Sequence, residues 1–260
     1  MTQEIDKRKD IAAKAATEAG KVLSDNFKKA FTVKSKGGNQ LVTEVDLKAE
    51  AVIINLIKEN FPEDGILSEE SPRTKGKSGF NWIIDPMDGT HNFIHGINIF
   101  GTSIGVALEK EVVAGAICMP LCNELYVAQK HKGAYCNNEK LSVSKRTIKE
   151  ATLIYDSSIR LNKKGMLKSL DLLSGEVFNI RMFGSSARHL TYVAEGKAEI
   201  DLEFNDKVWD FAAGLLMVEE AGGIVTDFKG LKWDTDTHGY LATNGIVHDK
   251  VLSLLKEGIK

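Results

Sequence analysis

The sequence has little cysteine, no surplus of either charge and no apolar run long enough to cross a membrane. Three cysteines, Cys118, Cys122 and Cys136, are an odd and sparse set for 260 residues. They exclude a disulfide framework and fit a reducing compartment, so a cytoplasmic location is expected. Lys plus Arg number 34 against 36 Asp plus Glu, a formal net charge of −2. That argues against a nucleic-acid binder driven by bulk positive charge, although a local basic patch stays open. The longest apolar stretches, Ile97–Leu108 and Val112–Cys118, are broken by Glu109-Lys110-Glu111, so no membrane span is expected. Residues 1–10 carry no apolar segment of the kind a secretory signal needs. There is no internal repeat, low-complexity segment or obvious linker. What is present is ordinary for a soluble globular protein: 43% hydrophobic and 27% charged residues. The length suffices for one large domain or two small ones around a substantial core.

Hydrophobic periodicity predicts an amphipathic helix over 4–29, a polar glycine-bearing loop over 34–40, and a second helix over 47–61 opened by Thr43-Glu44-Val45-Asp46. Short buried strands follow at 66–67 and 82–84, then consecutive strands at 100–108, 112–119 and 124–129, and a turn with short strands at 133–141. The second half alternates: strand 153–155, helix 163–173, strand 177–183, helix 185–194, strand 198–204, an apolar helix 208–221, strands 224–228 and 240–242, and a last helix 246–258. This mixture predicts a layered α/β or α+β architecture. The polar stretch 142–150 divides an N-terminal half, 1–145, from a C-terminal half, 146–260.

The chemistry concentrates in Trp82-Ile-Ile-Asp85-Pro86-Met87-Asp88-Gly89-Thr90. A buried strand ends in two carboxylates three residues apart. Pro86 disfavours helical geometry at Asp85, so a turn is expected there. Gly89 permits positive φ or close approach of a ligand, and Thr90 opens a short helix whose free N–H groups suit a phosphate. Asp210 sits in the first turn of a helix with little polar face, where it must be paired, capping or bound to a cation. Leu67-Ser-Glu69-Glu-Ser71 reads alone as a solvated acidic loop, and Asp46 alone as a helix cap. Together these carboxylates follow strand ends or open helices, and no His/Cys cluster accompanies them. An all-oxygen set suits Mg²⁺ or Mn²⁺ rather than Zn²⁺. The six histidines show no HExxH spacing, and no Walker A motif, Gly-x-Ser-x-Gly elbow or GxGxxG after a strand is present.

Asp85-Pro-Met-Asp-Gly-Thr90, Leu67-Ser-Glu-Glu-Ser71 and Trp209-Asp-Phe-Ala-Ala-Gly214 resemble the signatures of the inositol monophosphatase family. This Mg²⁺-dependent, lithium-sensitive phosphatase superfamily also includes fructose-1,6-bisphosphatases. The resemblance extends from the first helix to Asn244–Asp249. It implies a layered αβαβα sandwich, the sugar-phosphatase fold. It implies that Glu69, Asp85 and the Met87 carbonyl hold a first metal ion, and that Asp85, Asp88 and Asp210 hold a second, with a weaker third ion near Glu69. Thr90, with Asp46 behind it, resembles the pair that activates the nucleophilic water. The amides of Gly89 and Thr90, beside Asp88, would meet the phosphate, while Gly184, Ser185, Ser186 and Glu203 would meet the substrate's hydroxyls. Two such ions about 3.5–4 Å apart suit in-line displacement. Mn²⁺ would substitute for Mg²⁺, Li⁺ and Ca²⁺ would inhibit, and a homodimer is the usual state.

Three residues depart from the family pattern. Lys207 stands where animal members have histidine, Arg188 where an apolar residue is usual, and His91 where small or aromatic residues are usual. Lys207 and Arg188 are candidates to contact a second anionic group, with surface snorkelling as the structural alternative. The expected activity is hydrolysis of inositol monophosphate or a similar sugar or polyol phosphate. The alternatives are fructose-1,6-bisphosphatase or dual specificity, and a regulatory relative that binds RNA or protein. No membrane partner is expected, and nucleic acid is the less favoured partner.

Overall fold

The computed structural model describes residues 2–37 and 40–258. Helix α1 (Thr2–Asn26) buries Ala12, Ala15, Ala16, Ala19 and Leu23 along one face. Small side chains let it lie close on the sheet beneath, and a Cβ at Gly20 would meet Cys118 Sγ at 2.6 Å. The segment read as a loop is instead an antiparallel pair, β1 (Val33–Gly37) and β2 (Gln40–Thr43). Lys34-Ser-Lys-Gly in the first strand hid it, because that polar run carries no hydrophobic alternation. Residues 38 and 39 of that expectation lie outside the described residues. Helix α2 (Glu44–Asn60) starts three residues earlier than expected. Thr43 is its N-cap and forms a capping box with Asp46.

Next come β3 (Gly65–Ser68), β4 (Phe80–Asp88), the short α3 (Thr90–Ile94), β5 (Gly101–Leu108), β6 (Glu111–Met119), β7 (Glu124–Gln129), β8 (Gly133–Cys136) and β9 (Glu139–Lys140). They form a seven-stranded sheet in that order, with β3 parallel to β4 and the other pairs antiparallel. The expected turn at Pro86 is a bulge: β4 continues to Asp88, and its register against β5 shifts between Asp85 and Asp88. A bulge accommodates a proline, which has no N–H to give the ladder. The Pro86 carbonyl still accepts from Thr102 Oγ1 at 2.9 Å.

The second half supplies β10 (Thr152–Tyr155), α4 (Lys163–Ser174), β11 (Asn179–Arg181), α5 (Ser186–Ala194), β12 (Ile200–Glu203), α6 (Val208–Glu220), β13 (Ile224–Thr226), β14 (Tyr240–Thr243) and α7 (His248–Gly258). The five strands order as β11-β10-β12-β14-β13. The strand expected over 177–183 shrinks to three residues, because β11 is an edge with β10 as its one neighbour.

Burial explains the layering. Trp82, Ile84, Ile104 and Val106 pack with α1 and α2 on one face of the large sheet. Ile83, Ile117 and Ala107 pack on the other face against Phe211, Ala212 and Ala213 of α6. Gly105 and Gly115 let α6 approach: added Cβ atoms would lie 3.0 Å from Ala212 Cβ and 2.9 Å from Ala213 Cα. Ile154, Tyr240 and Ala242 of the smaller sheet belong to that same cluster. Leu153, Tyr155, Leu202 and Leu241, on its opposite face, pack with Met166 of α4 and Val251 of α7. The result is αβαβα, as the resemblance implies, with α5 and α6 sandwiched between two sheets.

Candidate active site

The site forms where the C-terminal ends of β3 and β4 meet the N-termini of α2, α3, α5 and α6. Glu69 directly follows β3, and its N–H donates to the Ile84 carbonyl at 3.1 Å, which sets it beside the end of β4. Asp85 is 1% exposed, and its Oδ1 accepts from the Met87 amide at 2.9 Å within the bulge. Asp88 Oδ1 accepts from the Ser186 amide at 3.1 Å, and Oδ2 from the Ala187 amide at 3.0 Å and from the Ser185 hydroxyl. Asp210 lies in the first turn of α6, its Oδ2 accepting from the Lys207 amide at 2.6 Å. The carboxylates of Asp85, Asp88 and Asp210 are each held by backbone N–H groups at a strand end or helix start, so their directions are fixed.

Asp46 serves two neighbours. Oδ2 accepts from the Thr43 amide at 2.8 Å and its hydroxyl at 2.5 Å, completing the helix cap. Oδ1 lies 3.1 Å from Thr90 Oγ1, which is also 2.9 Å from the Met87 carbonyl. The capping and site readings of Asp46 are therefore compatible. Gly89 has φ of +85°, and a Cβ there would sit 2.8 Å from the Ile99 carbonyl oxygen. Both facts require glycine before α3.

The electrostatics are those of crowded anions. Burial pushes Asp85 well above the usual carboxylate range, and the charges of Glu69, Asp88, Asp210 and Asp46 push it further. Burial raises Asp88 to about 6 against the hydrogen bonds that favour its anion. Burial also lifts Asp210, with Glu69 and Asp88 adding repulsion, and burial lifts Asp46. Hard oxygen donors that repel one another in a buried site fit a divalent cation, which would remove the penalty.

Beyond Asp88 lies an inner cavity of about 170 Å³, walled by Gly184, Ser185, Ser186, Glu203 and Asp210. An outer cavity of about 450 Å³ shares Asp210 and brings in Glu69, Lys207 and Arg160. Gly184 has φ of +68°, and Ser185 caps α5 by accepting from the Arg188 amide. One expected residue departs from its assignment. The Arg188 guanidinium is 2% exposed, donates to Glu124 at 2.7 Å and to the Tyr126 hydroxyl at 3.3 Å, and packs over the Tyr192 ring. A cation committed to a buried ion pair is spent on packing α5 against β7, which corrects its reading as a contact for a second anion. His91 and His95, both exposed, stack with ring centroids 4.2 Å apart.

The sequence reading missed Asp156, His189 and Asp206, which also line the inner cavity. His189 Nδ1 lies 2.7 Å from Glu203 Oε1 and 3.5 Å from Asp201 Oδ1, while Nε2 accepts from the Phe183 amide at 3.3 Å. With Nε2 accepting, the proton resides on Nδ1 and points at Glu203. A usable signal was present in Ile200-Asp-Leu-Glu203: acidic residues alternate with apolar ones, which places Asp201 and Glu203 on one face of a buried strand.

The model of the inositol monophosphatase family matches residues 4–260. The fructose-1,6-bisphosphatase/inositol-1-monophosphatase of Thermotoga maritima is 33% identical over 254 residues, 97% of each chain. The Nus factor SuhB of Escherichia coli K12 is 36% identical over 245 residues, 92% of this chain and 89% of that one. Among solved structures, the extragenic suppressor protein SuhB of Bartonella henselae superposes with a TM-score of 0.92 at 35% identity, covering 96% of this chain and 98% of that one. An IMPase of Thermotoga maritima gives 0.89 at 32% identity, covering 97% and 98%. A family match over nearly the whole chain, and relatives this similar along nearly their whole length, establish that the chain belongs to the inositol monophosphatase family.

Proposed function

We propose that this phosphatase-family chain is a Mg²⁺-dependent phosphomonoesterase that releases inorganic phosphate from inositol monophosphate or a similar polyol phosphate. The observation that carries the reading is the convergence of Glu69, Asp85, Asp88 and Asp210 beside the Thr90–Asp46 pair. Glu69, Asp85 and the Met87 carbonyl would hold one ion, and Asp85, Asp88 and Asp210 another. When bound, such ions supply positive charge for the phosphoryl group and acidify a water. Mn²⁺ would serve in place of Mg²⁺, and millimolar Li⁺ would inhibit.

The chain's own residues do the rest. Thr90 Oγ1 donates its one proton toward Asp46 Oδ1, and as it takes a proton from the nucleophile its own passes to Asp46, so Asp46 both orients the hydroxyl and ends as the proton acceptor. The amides of Gly89 and Thr90 open α3 beside Asp88 and receive phosphate oxygens. Glu203, Ser185 and Ser186 meet the hydroxyls of the leaving group in the inner cavity. A homodimer belongs to the same reading and is checked by light scattering.

A second reading, a sugar bisphosphatase, is favoured by Arg160 and Lys207 on the outer cavity. Phosphate release at fixed Mg²⁺ from inositol 1-phosphate, fructose 1,6-bisphosphate and β-glycerophosphate separates the two. Preference for inositol 1-phosphate supports the first, and equal turnover of the bisphosphate supports the second. Mg²⁺ binding without release from any ester favours the regulatory role suggested by the likeness to Nus factors.

A further inference from the structure

The inner cavity is more acidic than a phosphate site needs. On β12, Ile200 and Leu202 pack toward α4 and α7, so Asp201 and Glu203 face the α5–α6 layer. Asp206, in the link from β12 to α6, joins Glu203 and Asp156 on the cavity wall and also borders the outer cavity beside Lys207. Its position is fixed. Tyr240 Oη lies 3.2 Å from Asp206 Oδ2 and 3.1 Å from Asp201 Oδ2, so one phenolic proton serves two carboxylates. The Ser186 hydroxyl supplies another hydrogen bond to Asp206. His189 meanwhile spends its one proton on Glu203. Among the described residues, no Lys or Arg lines the inner cavity, whereas Arg160 and Lys207 border the outer one.

Resting on the phosphatase reading above, we propose that Asp206 is a specificity-determining residue. With Glu203 it makes the wall an acceptor surface for leaving groups that carry hydroxyl or ammonium donors. It disfavours leaving groups that press a second phosphate against that wall. The outer cavity that carries Lys207 and Arg160 carries Asp206 as well, so a second phosphate held there lies against that carboxylate, which opposes it.

The test compares kcat/KM for inositol 1-phosphate and fructose 1,6-bisphosphate in the full chain and in Asp206→Asn and Asp206→Ser, at saturating Mg²⁺. Using the ratio of the two esters on one preparation cancels any loss of folded protein. The bisphosphate-to-monophosphate ratio is expected to rise by about tenfold or more in both variants, chiefly through a lower KM for the bisphosphate; tenfold is what one charge about 12 Å away contributes at an effective dielectric of about 20, and a closer one contributes more. Turnover with an unchanged ratio in both variants overturns the role of Asp206 and leaves the phosphatase reading standing. No release from either ester by the unmutated chain overturns that reading and this inference with it.

Discussion

Asp88 at the end of β4 caps α5: its Oδ2 accepts from the Ala187 amide at 3.0 Å, and its Oδ1 from the neighbouring Ser186 amide. One carboxylate thus ties the large sheet to the central helical layer and stands at the mouth of the inner cavity. Asp88→Asn keeps an oxygen for one of those amides but removes the negative charge. Phosphatase turnover is expected to fall by about two orders of magnitude or more, the scale of losing one preorganised electrostatic contact. Circular dichroism is expected to be unchanged. Near-normal turnover at saturating Mg²⁺ would remove Asp88 from the site.

The crowding of Asp85 with Glu69, Asp88 and Asp210 makes the apoprotein pay for buried repulsion. Mg²⁺ should therefore raise the thermal midpoint of the EDTA-treated protein. The linkage relation gives about 2.7 kcal/mol at 100 times the dissociation constant. Differential scanning fluorimetry checks this. Asp85→Asn should abolish the Mg²⁺-dependent rise and leave the metal-free midpoint equal to or above that of the unmutated protein.

Arg8 is a separate, structural case. Its guanidinium donates to both Asp64 oxygens at 2.7 and 2.8 Å and lies over the Phe61 and Phe80 rings. Asp64 also accepts from Trp82 Nε1 at 2.9 Å. Removing the cation leaves Asp64 buried without its charge partner. Arg8→Met is expected to cost about 3–5 kcal/mol in urea unfolding, the range for breaking a buried pair from one side.

His248 carries a pH dependence away from the active site. Burial lowers its imidazole below the ordinary value, and its ring nitrogens lie 3.0 Å from Thr243 Oγ1 and 3.1 Å from Thr226 Oγ1. The folded chain keeps the ring neutral, while the unfolded chain takes a proton near pH ~6.5. Below that pH the unfolded state binds more protons, so stability falls as pH falls. The midpoint difference between the unmutated protein and His248→Gln is expected to shrink between pH 7.5 and 5.5. A difference constant across that range would contradict the assignment.

Much of the fold was legible because its helices and central strands are strongly periodic. Ala12–Leu23 and Phe211–Val218 are apolar on the faces that pack. The carboxylates that end β4 and open α6 stood out because charge is rare at the tips of such buried elements. The β1–β2 ribbon was hidden by the polar run Lys34-Ser-Lys-Gly in its first strand, and β4 was cut short because a proline inside a strand requires a bulge that only the pairing with β5 shows. Asp206 and His189 were not singled out because their significance is tertiary. Each is one polar residue until Tyr240, Glu203 and the cavity are placed around it. Arg188 misled for the converse reason: its partner Glu124 lies 64 residues away in sequence.

The most direct test of the metal-centred reading is phosphate release from inositol 1-phosphate by the unmutated protein and Asp210→Asn, followed as Mg²⁺ is removed with EDTA and restored. The account expects release by the unmutated protein that vanishes with EDTA, returns with Mg²⁺, and stays lost in Asp210→Asn at every Mg²⁺ concentration. Release that persists in EDTA, or survives the loss of Asp210, would contradict it.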